Sequence, residues 1–305
     1  MTDARVCGIL AAVQIKGAVA VPVIRTCLLF AALAAALSLV GCKNNLNGDA
    51  YALTGGGKII AFTTAKPTDI THTITISGLP LDPGTGLASE NVVQMDYRPS
   101  DQQLYAITGA NHLYLIDPAT GVATLLDGGA TFSNDSLGQP QMDFDPVRDL
   151  IRIISSNDNL QVNPDTGLSS SGTTVAYAGT DINYRHTPSL AGIAYSNNVA
   201  GVGSTTLYAL DSGTQSMARV GSPGGSPVTV DSGVLYTVGR LGVSFGVNDG
   251  FDIDSKNGTA FAALSPQGGT SSLYTINLAN GTASRIGTIG DGSITVTALA
   301  VVPAG

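Results

Sequence analysis

Residues 92–97 read VVQMDY, and the same kind of run returns as QMDF at 141–144, LAGIAY at 190–195, GFDI at 250–253 and TALAV at 297–301. Aligned on positions 96, 143, 194, 252 and 300, the copies lie 47, 51, 58 and 48 residues apart. Each run is short and apolar, is bounded by turn residues and has no helical period, which is a strand signal. A strand-rich unit that recurs every ~40–50 residues has the length of one four-stranded propeller blade.

Two more runs follow the first at nearly fixed offsets. One is LYAITG at 104–109, LIRIIS at 150–155, LYALDS at 207–212 and TAFAAL at 259–264. The other is a strand with its hairpin: HLYLIDPATGVATLL at 112–126, NLQVNPDTGLSS at 159–170 and SLYTINLANGTASRI at 272–286. Its Asp/Asn-x-x-Thr/Asn-Gly core, at 117–121, 163–167 and 277–281, makes a turn whose last Gly can take positive φ. Asn257-Gly258 reads as a compact hairpin turn.

The two ends of this repeat complete each other. ITVTALAVVP at 294–303 reads as the first strand of a blade with no successors, and residues 51–78 read as a blade lacking its first strand. Pairing them closes a ring and removes two open edges. The expected fold is all-β, a five-bladed propeller over residues 50–305. The irregular stretch 199–247 leaves a sixth blade open.

Composition agrees. The 305 residues are 43% hydrophobic and 12% charged, with 38 Gly, 14 Pro and a net charge of −8. Too little charge and too much apolar content rule out a disordered coil. Gly has no three-residue period, which excludes collagen. Glu90 is the single Glu, so the acids are turn-forming Asp. A pI near 4.6 leaves no footprint for nucleic acid.

The N-terminus reads as an address. Arg25 precedes an uncharged run, CLLFAALAAALSLV at 27–40, which ends in Leu39-Val40-Gly41-Cys42. This is the order of a signal peptide, and the run is short for a bilayer span. Its end resembles the lipobox of bacterial lipoproteins, in which the Cys is lipidated. Residues 1–41 are then a signal peptide, Cys42 the lipidation site and 42–49 a lipidated tether to a membrane. By the same resemblance, Lys43 favours outer-membrane sorting, facing periplasm or surface. Residues 1–22 fit a lipoprotein signal badly, and a start at Val23 would give a compact one. Cys7 and Cys27 precede the cut, so the exported chain has no disulfide and no Cys metal site.

Signals of chemistry are sparse. Gly242-Val243-Ser244-Phe245-Gly246 matches G-x-S-x-G, but no helix pattern and no His follow it, so it reads as a strand with glycines at close-packed positions. Asp143-x-Asp145 and Asp252-x-Asp254 suggest oxygen ligands for Ca²⁺; the competing reading is turn chemistry beside Pro146 and Asn257-Gly258. Asp96, Asp143 and Asp252 share one repeat position. They form a ring at the channel, where crowded carboxyls raise each other's pKa, or they pair with Arg98, Arg148 or Arg152 on neighbouring strands. His72, His112 and His186 lack zinc spacing. Tyr105, Tyr114, Tyr208 and Tyr274 recur after Leu and read as packing between blades.

The ordered blocks VVQMDYRP, QLYAITGANHLYLIDPATGVATLL, MDFDPVRDLIRIIS, NLQVNPDTG, IAYSNNVAG, TTLYALD, LGVSFG, GFDID and LYTINLANGTA resemble the bacterial domain-of-unknown-function 4394 family over about residues 58–303. The resemblance implies a secreted or surface-anchored β-propeller-like domain. It brings no activity and no functional residues. The expected function is a non-catalytic binding or scaffold module at the cell envelope. Loops 128–140, 178–188 and 220–234 would carry specificity for a protein or glycan, with no cofactor required. The alternative is a Ca-assisted propeller hydrolase or lyase acting on extracellular carbohydrate or ester.

Overall fold

The computed structural model describes residues 48–126, 139–155, 158–247, 249–266 and 269–303. The expected signal peptide, Cys42 and most of the tether lie outside the described residues, as does most of the 128–140 loop. The described residues form one compact unit.

The chain folds into five antiparallel sheets, the five blades of a propeller. Blade 1 contains β1 (Ala50–Thr54), β2 (Lys58–Thr63) and β3 (Lys66–Thr75), with β21 (Val296–Val301) as its inner strand. Blade 2 is β4 (Val92–Tyr97), β5 (Leu104–Thr108), β6 (Leu113–Ile116) and β7 (Ala123–Leu125). Blade 3 is β8 (Gln141–Asp145), β9 (Leu150–Ile154), β10 (Asn159–Val162) and β11 (Ser169–Ser171). Blade 4 is β13 (Leu190–Tyr195), β14 (Leu207–Asp211), β15 (Ser216–Val220) and β16 (Val234–Arg240), flanked by the short parallel β12 (Ala176–Tyr177). Blade 5 is β17 (Gly250–Ile253), β18 (Ala260–Leu264), β19 (Ser272–Ile276) and β20 (Ala283–Thr288). The 199–247 stretch therefore builds the outer part of blade 4, and the fold has five blades.

Ring closure follows the expected pairing. Ala50 pairs with Val301 and Ala52 with Leu299, antiparallel. The inner strands of successive blades pack side by side, β21 to β4 to β8 to β13 to β17 and back to β21. Each inner strand begins on one face, here the upper face, and ends on the other, the lower face.

The period-2 alternation of the strands decides the core. In β5, Leu104 and Ala106 pack towards blade 1, whereas Tyr105 and Ile107 pack towards blade 3. Both faces of a blade are thus buried, each against a different neighbour. The result is five apolar clusters, one for each blade-to-blade interface. Small residues let the inner strands approach. A Cβ on Gly250 would lie 2.6 Å from the Leu299 nitrogen, and one on Gly192 2.6 Å from the Phe251 Cβ.

The outer rim is stitched by main chain. Ala123 N–H donates to the Ser77 carbonyl, Ala283 to Leu241 and Gly290 to Pro67, each tying one blade to the next, while Ala176 N–H donates to Gly233 within blade 4. The rim turns form as their sequence demands. Asp117, Asn163 and Asn277 accept backbone N–H groups two residues on, and Gly121, Gly167 and Gly281 have φ of 77°, 67° and 81°. At Gly121 the requirement is double, because a Cβ would also lie 2.3 Å from the Thr75 carbonyl oxygen.

Candidate functional site

The repeat position picked out by sequence lies at the centre of the ring. Asp96, Asp143 and Asp252 sit on inner strands β4, β8 and β17, each at most 3% exposed. Ala194 and Ala300 hold the position in the other two blades. The carboxylates follow one rule. Asp96 accepts the Phe144 N–H at 3.1 Å, Asp143 the Tyr195 N–H at 2.6 Å and Asp252 the Val301 N–H at 2.6 Å. Each acceptor thus binds the residue after the equivalent position on the next blade. The alanine blades have no carboxylate to offer, and the neighbour compensates. Asp252 also takes its own Ile253 N–H at 2.6 Å, and Asp96 its own Tyr97 N–H at 2.7 Å. Three side chains therefore satisfy five inward N–H groups, which buried backbone requires.

These carboxyls are crowded and dry. Desolvation pushes Asp96 up to about 6. Desolvation, followed by the charges of Asp96 and Asp252, pushes Asp143 well above the carboxylate range. Desolvation and Asp96 do the same to Asp252. Oδ1 of Asp143 is buried with no N–H or O–H donor directed at it. The charge of the neighbouring Asp96 carboxylate acts on the same carboxyl. A carboxyl oxygen in that position is satisfied by carrying the proton itself. Burial and mutual charge thus disfavour the ionised form of all three carboxyls.

The arginines expected as partners serve elsewhere. Arg98 clamps Asp149 through two bonds, at 2.9 and 2.6 Å, and Asp165 at 2.6 and 3.1 Å, tying blade 2 to blade 3. Arg152 reaches Asp231 at 2.6 Å and Arg148 reaches it at 3.1 Å, tying blade 3 to blade 4. The pairing of the ring aspartates with these arginines is therefore corrected. The arginines point outward to the lower-face loops, and the aspartates point to backbone.

The aspartates considered for Ca²⁺ divide between two roles. Asp143 and Asp252 are in the ring. Asp145 accepts the Val147 and Arg148 N–H groups, and Asp254 the Lys256 N–H, so both are turn residues. Among the described residues, no group of three or more His, Cys, Asp or Glu side chains could hold a metal ion. Residues 241–247 form a connection and not the expected strand. Phe245 there is held by Gln215, which donates to its carbonyl and accepts its N–H. Tyr105, Tyr114, Tyr208 and Tyr274 all pack between blades. His72 lies on β3, and His186 in the connection from blade 3 to blade 4.

Two features were missed in the sequence. The first is a clip on the upper face of blade 2. Glu90 accepts from Thr108 at 2.5 Å, from Tyr114 at 2.7 Å and faces Nδ1 of His112 at 3.0 Å. Burial pushes this carboxyl up, and the three hydrogen bonds together outweigh it, so its pKa falls. Being the single Glu was the one signal available. The second is a cleft of about 380 Å³ on the upper face of blade 1, at the Gly55–Gly57 turn and the 293–295 segment. A smaller one of about 120 Å³ lies on the lower face between blades 3 and 4, beside Arg148 and Tyr195.

Several solved structures are similar in fold. A putative 6-phosphogluconolactonase from Bacteroides uniformis is 17% identical, over 83% of this chain and 71% of that one, with a TM-score of 0.41. A structural genomics protein of unknown function from Bacteroides thetaiotaomicron is 14% identical, over 84% and 64%, with a TM-score of 0.49. TolB from Acinetobacter baumannii is 12% identical, over 84% and 66%, with a TM-score of 0.45. At such identities the likeness concerns fold alone. No curated protein matches the chain. The family model of a domain of unknown function, DUF4394, matches residues 58–300, which run from the second strand of blade 1 into the closing strand, so this five-bladed propeller belongs to that family.

Proposed function

We propose that this protein is a non-catalytic binding module, exported and held at the cell envelope by lipid on Cys42. The observation that carries the reading is the use made of the central carboxylates. In Asp96, Asp143 and Asp252, five of six oxygens accept backbone N–H groups, and the sixth is buried. Acids committed to ring closure are not presented to a substrate. What the fold does present is a rim of loops around a rigid body, an arrangement suited to recognition. The tether supports display from a membrane. At its described end, the Asp49 carbonyl accepts the Val302 N–H on the lower face. β1 then crosses to the upper face, where the larger cleft lies.

Two experiments test the reading. In the native cell, Cys42→Ala should move the protein from the membrane to the soluble fraction. Lipid-modified Cys42 should also be seen by mass spectrometry as the first residue. For residues 44–305, a melting screen against peptides and glycans, with EDTA and Ca²⁺ arms, should find a ligand that raises the melting temperature by mass action. A melt that depends on Ca²⁺, joined to hydrolysis or elimination of a glycan or ester, would replace this reading with the enzyme alternative.

A further inference from the structure

We infer that the upper-face cleft of blade 1 is a binding site for a small hydroxylated carboxylate, a sugar acid of the uronate type. The inference rests on the binding-module reading and names the class of ligand. The cleft, at about 380 Å³, falls at the small end of the range for ligand sites, room for one or two sugar rings. Its floor is aliphatic, from Ile60, 2% exposed, and the half-buried Ile294. Its polar groups are Lys58, Thr54, Thr73, Ser293 and Thr295.

Some of these groups are already engaged and others are not. Thr54 donates to the Lys58 carbonyl and accepts the Lys58 N–H. Ser293 donates to Asp291 at 2.6 Å, which also accepts the Ser293 N–H, so this acid is turned to its own loop. Among the described residues, no ion pair holds the Lys58 ammonium, and no hydrogen bond holds the Thr73 or Thr295 hydroxyl. One cation and two hydroxyls without an intramolecular partner thus line the same cleft as the aliphatic Ile60 and Ile294. That set matches a ligand with one negative charge, several hydroxyls and an apolar ring face.

The backbone favours the same ligand. Gly55 and Gly56 are exposed, and neither would bring a Cβ within 3.5 Å of another atom, so their lack of side chains is not forced by packing. It leaves flat main chain beside Lys58 for close approach. A cation in a chain of net charge −8 gives the cleft a local sign opposite to that of the whole. No aromatic ring lines the cleft, so the charge and hydroxyls, and not stacking, must supply selectivity.

The test is calorimetric titration of residues 44–305 with glucuronate, with a glucuronate-terminated disaccharide and with glucose. The free acid and the disaccharide separate a metabolite source from a glycan source. Glucuronate in either form should bind at least tenfold more tightly than glucose. Lys58→Gln should lower its affinity about tenfold, the worth of one exposed-to-partly-buried ion pair. Thr295→Val should weaken all three sugars together. Both variants change exposed side chains and should melt with the parent. Equal binding of glucose and glucuronate, or no binding of either, overturns the inference. Glucuronate binding that Lys58→Gln leaves unchanged also overturns it while keeping the module reading, because the ligand is then held elsewhere. Loss of the module reading itself needs the separate failure of the whole ligand screen.

Discussion

Asp96 and Phe144 lie on adjacent blades, and the Asp96 carboxylate accepts the Phe144 N–H at 3.1 Å while taking its own neighbour, Tyr97, at 2.7 Å. One side chain thus closes two positions in the ring, and the same device recurs at Asp252. At Asp143 the carboxylate takes a single N–H and keeps an oxygen free for a proton.

That difference ranks the three aspartates. Asp96→Ala or Asp252→Ala orphans two buried N–H groups, and Asp143→Ala orphans one. An orphaned buried donor costs about 1–3 kcal/mol. Urea unfolding should show the first two variants losing more stability than the third. The opposite order, or three neutral variants, would refute the closure rule.

The raised ring carboxyls predict a pH dependence. Folded Asp96 is raised to about 6 by burial, and Asp143 and Asp252 are raised well above the carboxylate range by burial and by neighbouring carboxylates, Asp96 among them. Raised carboxyls bind protons in the folded state that the unfolded chain has released. Stability therefore falls as pH rises from about 4 through 6 and beyond. The melting temperature should be higher at pH 5 than at pH 8. Below about pH 4 the slope should reverse, because Asp149, Asp165 and Asp231 are held low by Arg98, Arg148 and Arg152 and lose those partners on protonation.

Asp143→Asn isolates the proton. The amide keeps an oxygen for the Tyr195 N–H and supplies a fixed donor to Asp96. It should stabilise the fold at pH 8, on the order of 1 kcal/mol, and have little effect at pH 5. A variant whose pH–stability slope matches the parent would show that Asp143 is not the proton carrier.

Arg98 is a fork, and its shape matters as well as its charge. Arg98→Lys keeps the cation but cannot bond Asp149 and Asp165 through paired donors. The side chain is 9% exposed, so the loss should be about 1–3 kcal/mol and weakly dependent on salt. Chemical unfolding at low and high ionic strength checks both statements.

The closing strand gives the most drastic variant. Deleting residues 294–305 removes β21, leaves Ala50–Thr54 with an open edge and strips the Asp252 partner Val301. The truncated chain should show no cooperative thermal transition by circular dichroism. Melting at the parent temperature would show that blade 1 does not need its inner strand.

Sequence alone determined the blade. The repeated runs, their alternation and the Asp/Asn-x-x-Thr/Asn-Gly turns are local properties, so the strands, the rim turns and the pairing of the two ends were legible. The repeat position of Asp96, Asp143 and Asp252 was legible too, because equivalent positions in a closed ring must meet. What those aspartates hold was not. Asp96 reaches a residue 48 positions away and Asp252 one 49 away, and only the blade-to-blade stagger puts a backbone N–H there instead of an arginine. Arg98 and Arg152 were visible as charges, but their partners Asp149, Asp165 and Asp231 lie on loops of the next blade. The count of five blades needed the structure for the same reason: strands β15 and β16 lack the repeat's signature, and only their pairing beside β14 assigns them to blade 4. The Lys58 cleft is the clearest case. Thr73 and Thr295 are 222 residues apart and are brought together because β21 joins blade 1 from the far end of the chain. Local propensity writes strands and turns, whereas closure of the ring decides which of their side chains share a site.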